Sequence, residues 1–227
     1  MEAFLSLPGA GIIVSIVCFS IGCRIREKLP SPLVNPLIIA NVLIILVVIY
    51  TPLTTERYQK GGDIITMFII PVTVVLALRI YRQRELLKTN IAPVFAGCLA
   101  GSLASLGSVL GLCRLLALDS AVTASLLPKS VTTAIALELS ARGGGLPGLA
   151  ITAVIVTGMF SAVLSPLLIK TLGLKDPLAA GIAMGTSGHA IGTAAALELG
   201  EVEGAMSGLA MALSGIITSV LFVLLFR

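Results

Sequence analysis

Charge is scarce in this chain: only 11% of its 227 residues are Asp, Glu, Lys or Arg, while 57% are hydrophobic. A soluble domain carries roughly a quarter charged residues, so an ordinary water-soluble fold is excluded. No polar stretch is long enough to form a separate soluble domain beside the apolar one. Histidine occurs once, and the four cysteines (Cys18, Cys23, Cys98 and Cys113) make no CxxC pair. All four lie in or beside apolar runs and read as small buried hydrophobes, so no metal site, disulfide or cofactor is expected. No GxxxxGKS occurs, which argues against nucleotide-driven work. The N-terminal stretch has no Lys or Arg ahead of its apolar run and opens with Glu2, so it reads as a retained transmembrane helix and not as a secretory signal. The net charge of +4 sits beside hydrophobic segments. It reads as cytoplasmic loop charge and not as a nucleic-acid surface.

What the chain has is hydropathy, with a mean of +1.09. Apolar runs longer than ~18 residues mark membrane-spanning helices. Six spans follow: 8–25, 33–50, 63–81, 91–117, 147–171 and 205–226. RIREK (24–28), TTERYQKGGD (54–63) and RIYRQRELLK (79–88) connect the first four. Arg and Lys concentrate in the first and third connectors, which places those inside and the N-terminus outside. The fourth span carries Gly97, Gly101, Ala104, Ser108 and Gly111 at three- and four-residue intervals. Such a face lets another helix approach closely, either within the bundle or, as a sharper reading, at a seam between copies of the chain.

Two stretches remain, 119–141 and 177–200. Each holds helix breakers in its middle, Pro128 in one and Gly185 with Gly188 in the other. They also resemble each other: TAIALELSARGGGLPGLA (133–150) aligns without a gap on TAAALELGEVEGAMSGLA (193–210), matching glutamates, threonines and glycines in register. The fold class is therefore all-α: a polytopic transmembrane helix bundle with two discontinuous helices, crossing or re-entrant, in a repeat. Residues 1–118 form an N-terminal four-helix membrane region. Residues 119–227 form the repeat region, each broken helix followed by a spanning one, within one membrane domain overall. Inverted repeats with broken helices meeting at the bilayer midplane are a recurring transporter plan, and inversion is favoured here.

The same register sets Lys129 opposite His189. Backbone freed by a break survives in a membrane only inside protein or beside water, and the start of each second half-helix carries a partial positive charge. With Lys129, Ser130, Thr132, Thr133, Ser187, Gly188, His189 and Thr193, the breaks suit a small organic anion. His189, Glu138 and Glu198 are candidates for proton or ion coupling, although the glutamates lie about 13 Å along a helix from the breaks and read first as interface residues or partners of Arg142. An intramembrane hydrolase built on Ser130 is disfavoured, because adjacent Lys129 and Ser130 are expected to point apart.

PKSVTTAIALELS, TGMFSAVLSPLL, GIAMGTSGHAIGTAAALE and GAMSGLAMALSGIITSVL resemble the LrgB/CidB membrane protein family over most of the chain. Members often carry TASHAIGT where this chain has Thr186-Ser187-Gly188-His189-Ala190-Ile191-Gly192-Thr193. The resemblance implies a bacterial plasma-membrane protein working with a small hydrophobic LrgA or CidA partner. It also implies one of two functions: antiholin- or holin-like modulation of murein hydrolase activity and cell lysis, or transport of small carboxylates such as pyruvate, glycolate or glycerate. The break chemistry prefers the carrier, with a small carboxylate as ligand and no enzymatic activity.

Overall fold

The computed structural model describes residues 9–29 and 34–226. The expectations that rest on Glu2, on residue 8 and on residue 33 fall outside the described residues. Every regular element among the described residues is an α-helix: α1 Gly9–Lys28, α2 Pro36–Tyr50, α3 Thr55–Thr66, α4 Ile69–Arg82, α5 Arg84–Thr89, α6 Ile91–Leu115, α7 Ser120–Leu126, α8 Thr133–Arg142, α9 Pro147–Thr171, α10 Pro177–Leu199 and α11 Glu201–Leu225. Among the described residues, five stretches are long and apolar enough to cross a membrane: Gly9–Lys28, Thr55–Arg82, Ile91–Leu115, Pro147–Thr171 and Glu201–Leu225. At 1.5 Å per residue a 25-residue helix reaches ~37 Å, more than a hydrocarbon core of ~30 Å. The chain is thus a multi-pass membrane protein. TTERYQKGGD, expected to be a connector, is instead helical, since α3 covers Thr55–Thr66. Thr54 caps the Arg57 N–H at 3.4 Å and Glu56 complements the helix N-terminus, a start signal that low hydropathy had obscured.

Two compact units divide the chain, residues 1–75 and 76–227. In the first, Gly11 lets α1 meet Tyr58 and Gly61 of α3, and the Ser15 and Tyr58 hydroxyls lie 2.9 Å apart.

In the second unit, Val94 and Cys98 of α6 pack with Met206 and Ala210 of α11, while Leu106, Val109 and Cys113 pack with Phe222. The two helices therefore run side by side in the same direction. Between these apolar clusters the helices bury Ser102, Ser214 and Thr218. A polar layer thus crosses the unit at mid-height. Lipid offers no hydrophobic drive for helix association, so close packing and interhelical hydrogen bonds carry it.

Three helices of this unit end alike. Leu118 N–H reaches Cys113 O at 2.9 Å, Gly145 N–H reaches Ser140 O at 2.7 Å and Leu174 N–H reaches Ile169 O at 3.0 Å. The residue before each donor has positive φ: Ala117 at 50°, Gly144 at 71° and Gly173 at 66°. This is the left-handed helix terminus that glycine favours, and only Ala117 occupies it with a Cβ. Ala117→Gly should therefore raise thermal stability, by about 1 kcal/mol from relief of left-handed strain; a lowered melting temperature would contradict the assignment.

Both repeat stretches double back. Ser125, at the end of α7, accepts the Leu146 N–H at 2.7 Å, and a Cβ on Gly143 would stand 2.9 Å from Ala124 Cβ. A continuous helix would have carried residue 143 about 27 Å past residue 125. Pro128 lies in the intervening turn. In α10, a Cβ on Gly192 would stand 2.6 Å from the Met184 carbonyl oxygen, although eight helical residues span ~12 Å. Gly181 faces Glu203 and Met206, and Gly185 faces Ser207 and Ala210; Thr193 then pairs with Ser207, and Leu197 faces Gly204. The first half of α10 advances with α11 and the second half retreats along it. The residue that leaves helical conformation is His189, at φ 42° and ψ −133°, and neither Gly185 nor Gly188. Those glycines serve close packing against α11 and α9.

Candidate functional site

The two reversals meet the middles of long helices. At the first, Ser130 Oγ lies 2.9 Å from Ser105 Oγ, near the centre of α6. At the second, His189 Nε2–H donates to the Val154 carbonyl at 3.0 Å and the imidazole covers Gly158, near the centre of α9. A carbonyl only accepts, so Nε2 carries the proton and Nδ1 is the remaining acceptor of the neutral ring. α6 links the two places, because Gly101 lies against Thr186 while Ser105, one turn on, meets Ser130.

Lys129 is half-buried, and its Nζ donates to Ser130 Oγ at 3.1 Å. The expectation that these neighbours point apart is thus wrong. Neighbouring side chains diverge in a helix and in a strand, whereas residues 127–130 form a turn. Ser130 is buried and bonded to both Lys129 and Ser105. An ammonium has three donors, and among the described residues only Ser130 takes one. Thr132 precedes α8 but makes no side-chain cap, although threonine is a strong capping residue, and Thr133 is exposed as the first residue of that helix. The first N–H groups of α8 thus lack a side-chain cap, and a helix start of this kind favours an anion.

At the second reversal, Ser187 is exposed, and its hydroxyl lies 3.0 Å from Ser161 Oγ while also donating to Ala183 O at 2.7 Å. Gly188 is buried flat against Ser161. Thr193 is buried and spends its hydroxyl on His189 O at 2.9 Å and Ser207 Oγ at 2.9 Å. It holds the returning half-helix to α11. The carboxylates stand elsewhere. Glu138 pairs with Arg142 at 2.9 Å on the exposed face of α8, and Glu198 is exposed near the far end of α10. The small-residue face of α6 divides as well: Gly97 and Gly101 pack on Ile182 and Thr186, whereas Gly111 meets nothing within 4 Å, and neither does Gly107 one turn before it.

Ser105, Ser161, Ser165 and Ser207 were not singled out from the sequence. Ser161 and Ser165 stand four apart in TGMFSAVLSPLL, spaced to share a helix face inside an apolar run. Hydroxyls so placed were the available signal.

The LrgB-like family model matches residues 15–227. Antiholin-like protein LrgB of Bacillus subtilis (strain 168) is 39% identical over 219 residues, covering 96% of this chain and 94% of that protein. Antiholin-like protein LrgB of Bacillus mycoides (strain KBAB4) is 37% identical over 214 residues, covering 94% of this chain and 93% of that protein. No solved structure matches.

Proposed function

The chain belongs to the LrgB-like family, and from that premise we propose that it is a membrane transporter, or the transporter subunit of a two-protein system, for small monocarboxylates such as pyruvate, glycolate or glycerate. One observation carries the reading: both chain reversals reach the middles of spanning helices, with Lys129 at one and His189 at the other. Charge at such depth is expensive unless it serves a pathway. The spare ammonium donors and the uncapped start of α8 suit a carboxylate, and His189 Nδ1 suits a substrate hydroxyl or a coupling proton. Reversals at mid-depth belong to carriers that work by alternating access. In this reading the two stretches are re-entrant hairpins in a bacterial inner membrane, the N-terminus faces outside, and a small hydrophobic LrgA/CidA-type protein completes the assembly. Uptake of labelled pyruvate, glycolate and glycerate into proteoliposomes, with the chain alone and with that partner, tests it. Saturable uptake above empty vesicles is expected, and its absence in both preparations overturns the proposal.

The relatives' names favour a second reading, an antiholin-like modulator of murein hydrolase activity and lysis, and they say nothing of transport. The open Gly107–Gly111 face of α6 is of a kind that supports helix–helix assembly. Lysis timing that follows the chain's expression, without carboxylate flux in vesicles, would select this reading.

A further inference from the structure

A groove at the C-terminal end of α1 takes no part in the two reversals. Ile21, Arg24, Ile25, Glu27 and Lys28 line it, and its volume is about 360 Å³. That lies within the ~300–1,000 Å³ of small-molecule sites. Residues 21, 24, 25 and 28 are three, four and seven positions apart, so they share one face of the helix. Gly22 lies about 100° round the helix from Ile21, and there the Pro36 backbone at the start of α2 presses against it. α2 thus occupies another side of α1 and leaves the groove face clear. The charges in the groove are unspent. Among the described residues Arg24, Glu27 and Lys28 enter no ion pair and no side-chain hydrogen bond, although Glu27 stands three residues from Arg24 and beside Lys28. Exposed pairs at similar spacing do form elsewhere, Lys88 with Glu85 and Arg142 with Glu138.

Depth gives the groove its chemistry. The 20 residues of α1 reach ~30 Å, the thickness of the hydrocarbon core, so its last turns stand at the headgroup layer. Ile21 and Ile25 each lie three residues deeper than the cation above them, Arg24 and Lys28. The hollow therefore offers phosphate donors at the headgroup level and an apolar wall beneath, the two surfaces a phospholipid needs. Two cations and one carboxylate leave one net positive charge, and a phosphodiester carries one negative charge. We infer that the α1 groove binds one anionic phospholipid, with its phosphodiester on Arg24 and Lys28 and the top of an acyl chain along Ile21 and Ile25. Glu27 faces the same hollow and opposes a second negative charge. The inference holds for a carrier and for a lysis modulator alike. With the N-terminus outside, as proposed, the lipid belongs to the cytoplasmic leaflet.

The test titrates the purified, delipidated full chain in non-ionic detergent with dioleoyl phosphatidylglycerol, phosphatidylethanolamine or phosphatidylcholine. Thermal unfolding and the lipid count by native mass spectrometry are the readouts. Phosphatidylglycerol should raise the melting temperature saturably and bind the groove as one molecule, and the two zwitterionic lipids should not. A basic residue beside an anionic headgroup is worth about fivefold in affinity, so Arg24→Gln with Lys28→Gln should move the phosphatidylglycerol midpoint about 25-fold higher. Lys28→Gln alone should move it about fivefold, and this exposed helix-end change keeps the test open if the double variant fails to fold. Arg79→Gln with Arg82→Gln removes equal charge from the end of α4 and should leave the midpoint unchanged. Equal stabilisation by all three lipids overturns the site, as does an unchanged midpoint in a folded groove variant. An equal loss in the α4 variant reduces the effect to general surface charge and overturns it too. Inorganic phosphate should not displace the lipid; full displacement would assign the groove to free phosphate and overturn the lipid.

Discussion

Lys129→Ala should lower carboxylate uptake about 100-fold in proteoliposomes while leaving the protein folded. The magnitude follows from depth. Truncating one partner of a desolvated charge pair costs about 2–5 kcal/mol, and 100-fold corresponds to ~2.7 kcal/mol. Folding should survive, because the ammonium is half-buried and its recorded bond is to the neighbouring Ser130, whose contact with Ser105 remains. Lys129→Arg keeps the charge but replaces a compact ammonium with a planar fork, so uptake should fall to an intermediate level. Initial rates against substrate concentration, alongside a melting curve for each variant, make the check. Equal flux through the unaltered chain and Lys129→Ala removes Lys129 from the site. A variant that melts far below the parent would instead make Lys129 structural.

Much of this arrangement is legible in the sequence, and the reason is depth. Polar residues in oil are few, so Lys129, His189 and the repeat around them stand out. The path of the backbone is not legible. Each repeat stretch is long enough to cross or to return, and the turn of the backbone shows only in the nearness of Met184 to Gly192 and of Ser125 to Leu146. The repeat also conceals a divergence. Gly144 and Gly204 align, yet Gly144 ends α8 at positive φ while Gly204 lies inside α11 against Leu197. An identical letter in register does two jobs because the second copy joins its helices at Gly200, with no longer loop between them. The contact of Lys129 with Ser130 was equally hidden, because a turn at residues 127–130 brings two neighbouring side chains together.

Glycines show the same limit most sharply, and Gly185→Leu should yield no stably folded protein, whereas Gly107→Leu should be tolerated. Both glycines lie in helices of the same unit, and nothing in their local sequence separates them. At Gly185 a Cβ would stand 2.9 Å from Ala210 Cβ and 2.9 Å from the Ser207 carbonyl carbon, with the Ser207 carbonyl oxygen closer still. A side chain could swing aside, but α11 backbone cannot without opening the α10–α11 contact that sets the reversal beside its neighbours. Overpacking costs about 1–3 kcal/mol where neighbours can adjust, so a leucine against fixed backbone should exceed that range. At Gly107 nothing lies within 4 Å. Leucine is there a better helix former than glycine by about 0.8 kcal/mol, so the melting temperature should hold or rise. Detergent-stable yield and melting temperature, compared for the two variants, read the result. If Gly107→Leu also splits a dimeric detergent particle into monomers, the open face of α6 is a seam between copies; if Gly185→Leu folds normally, the parallel packing of the first half of α10 on α11 is wrong, and the reversal at His189 loses its principal support.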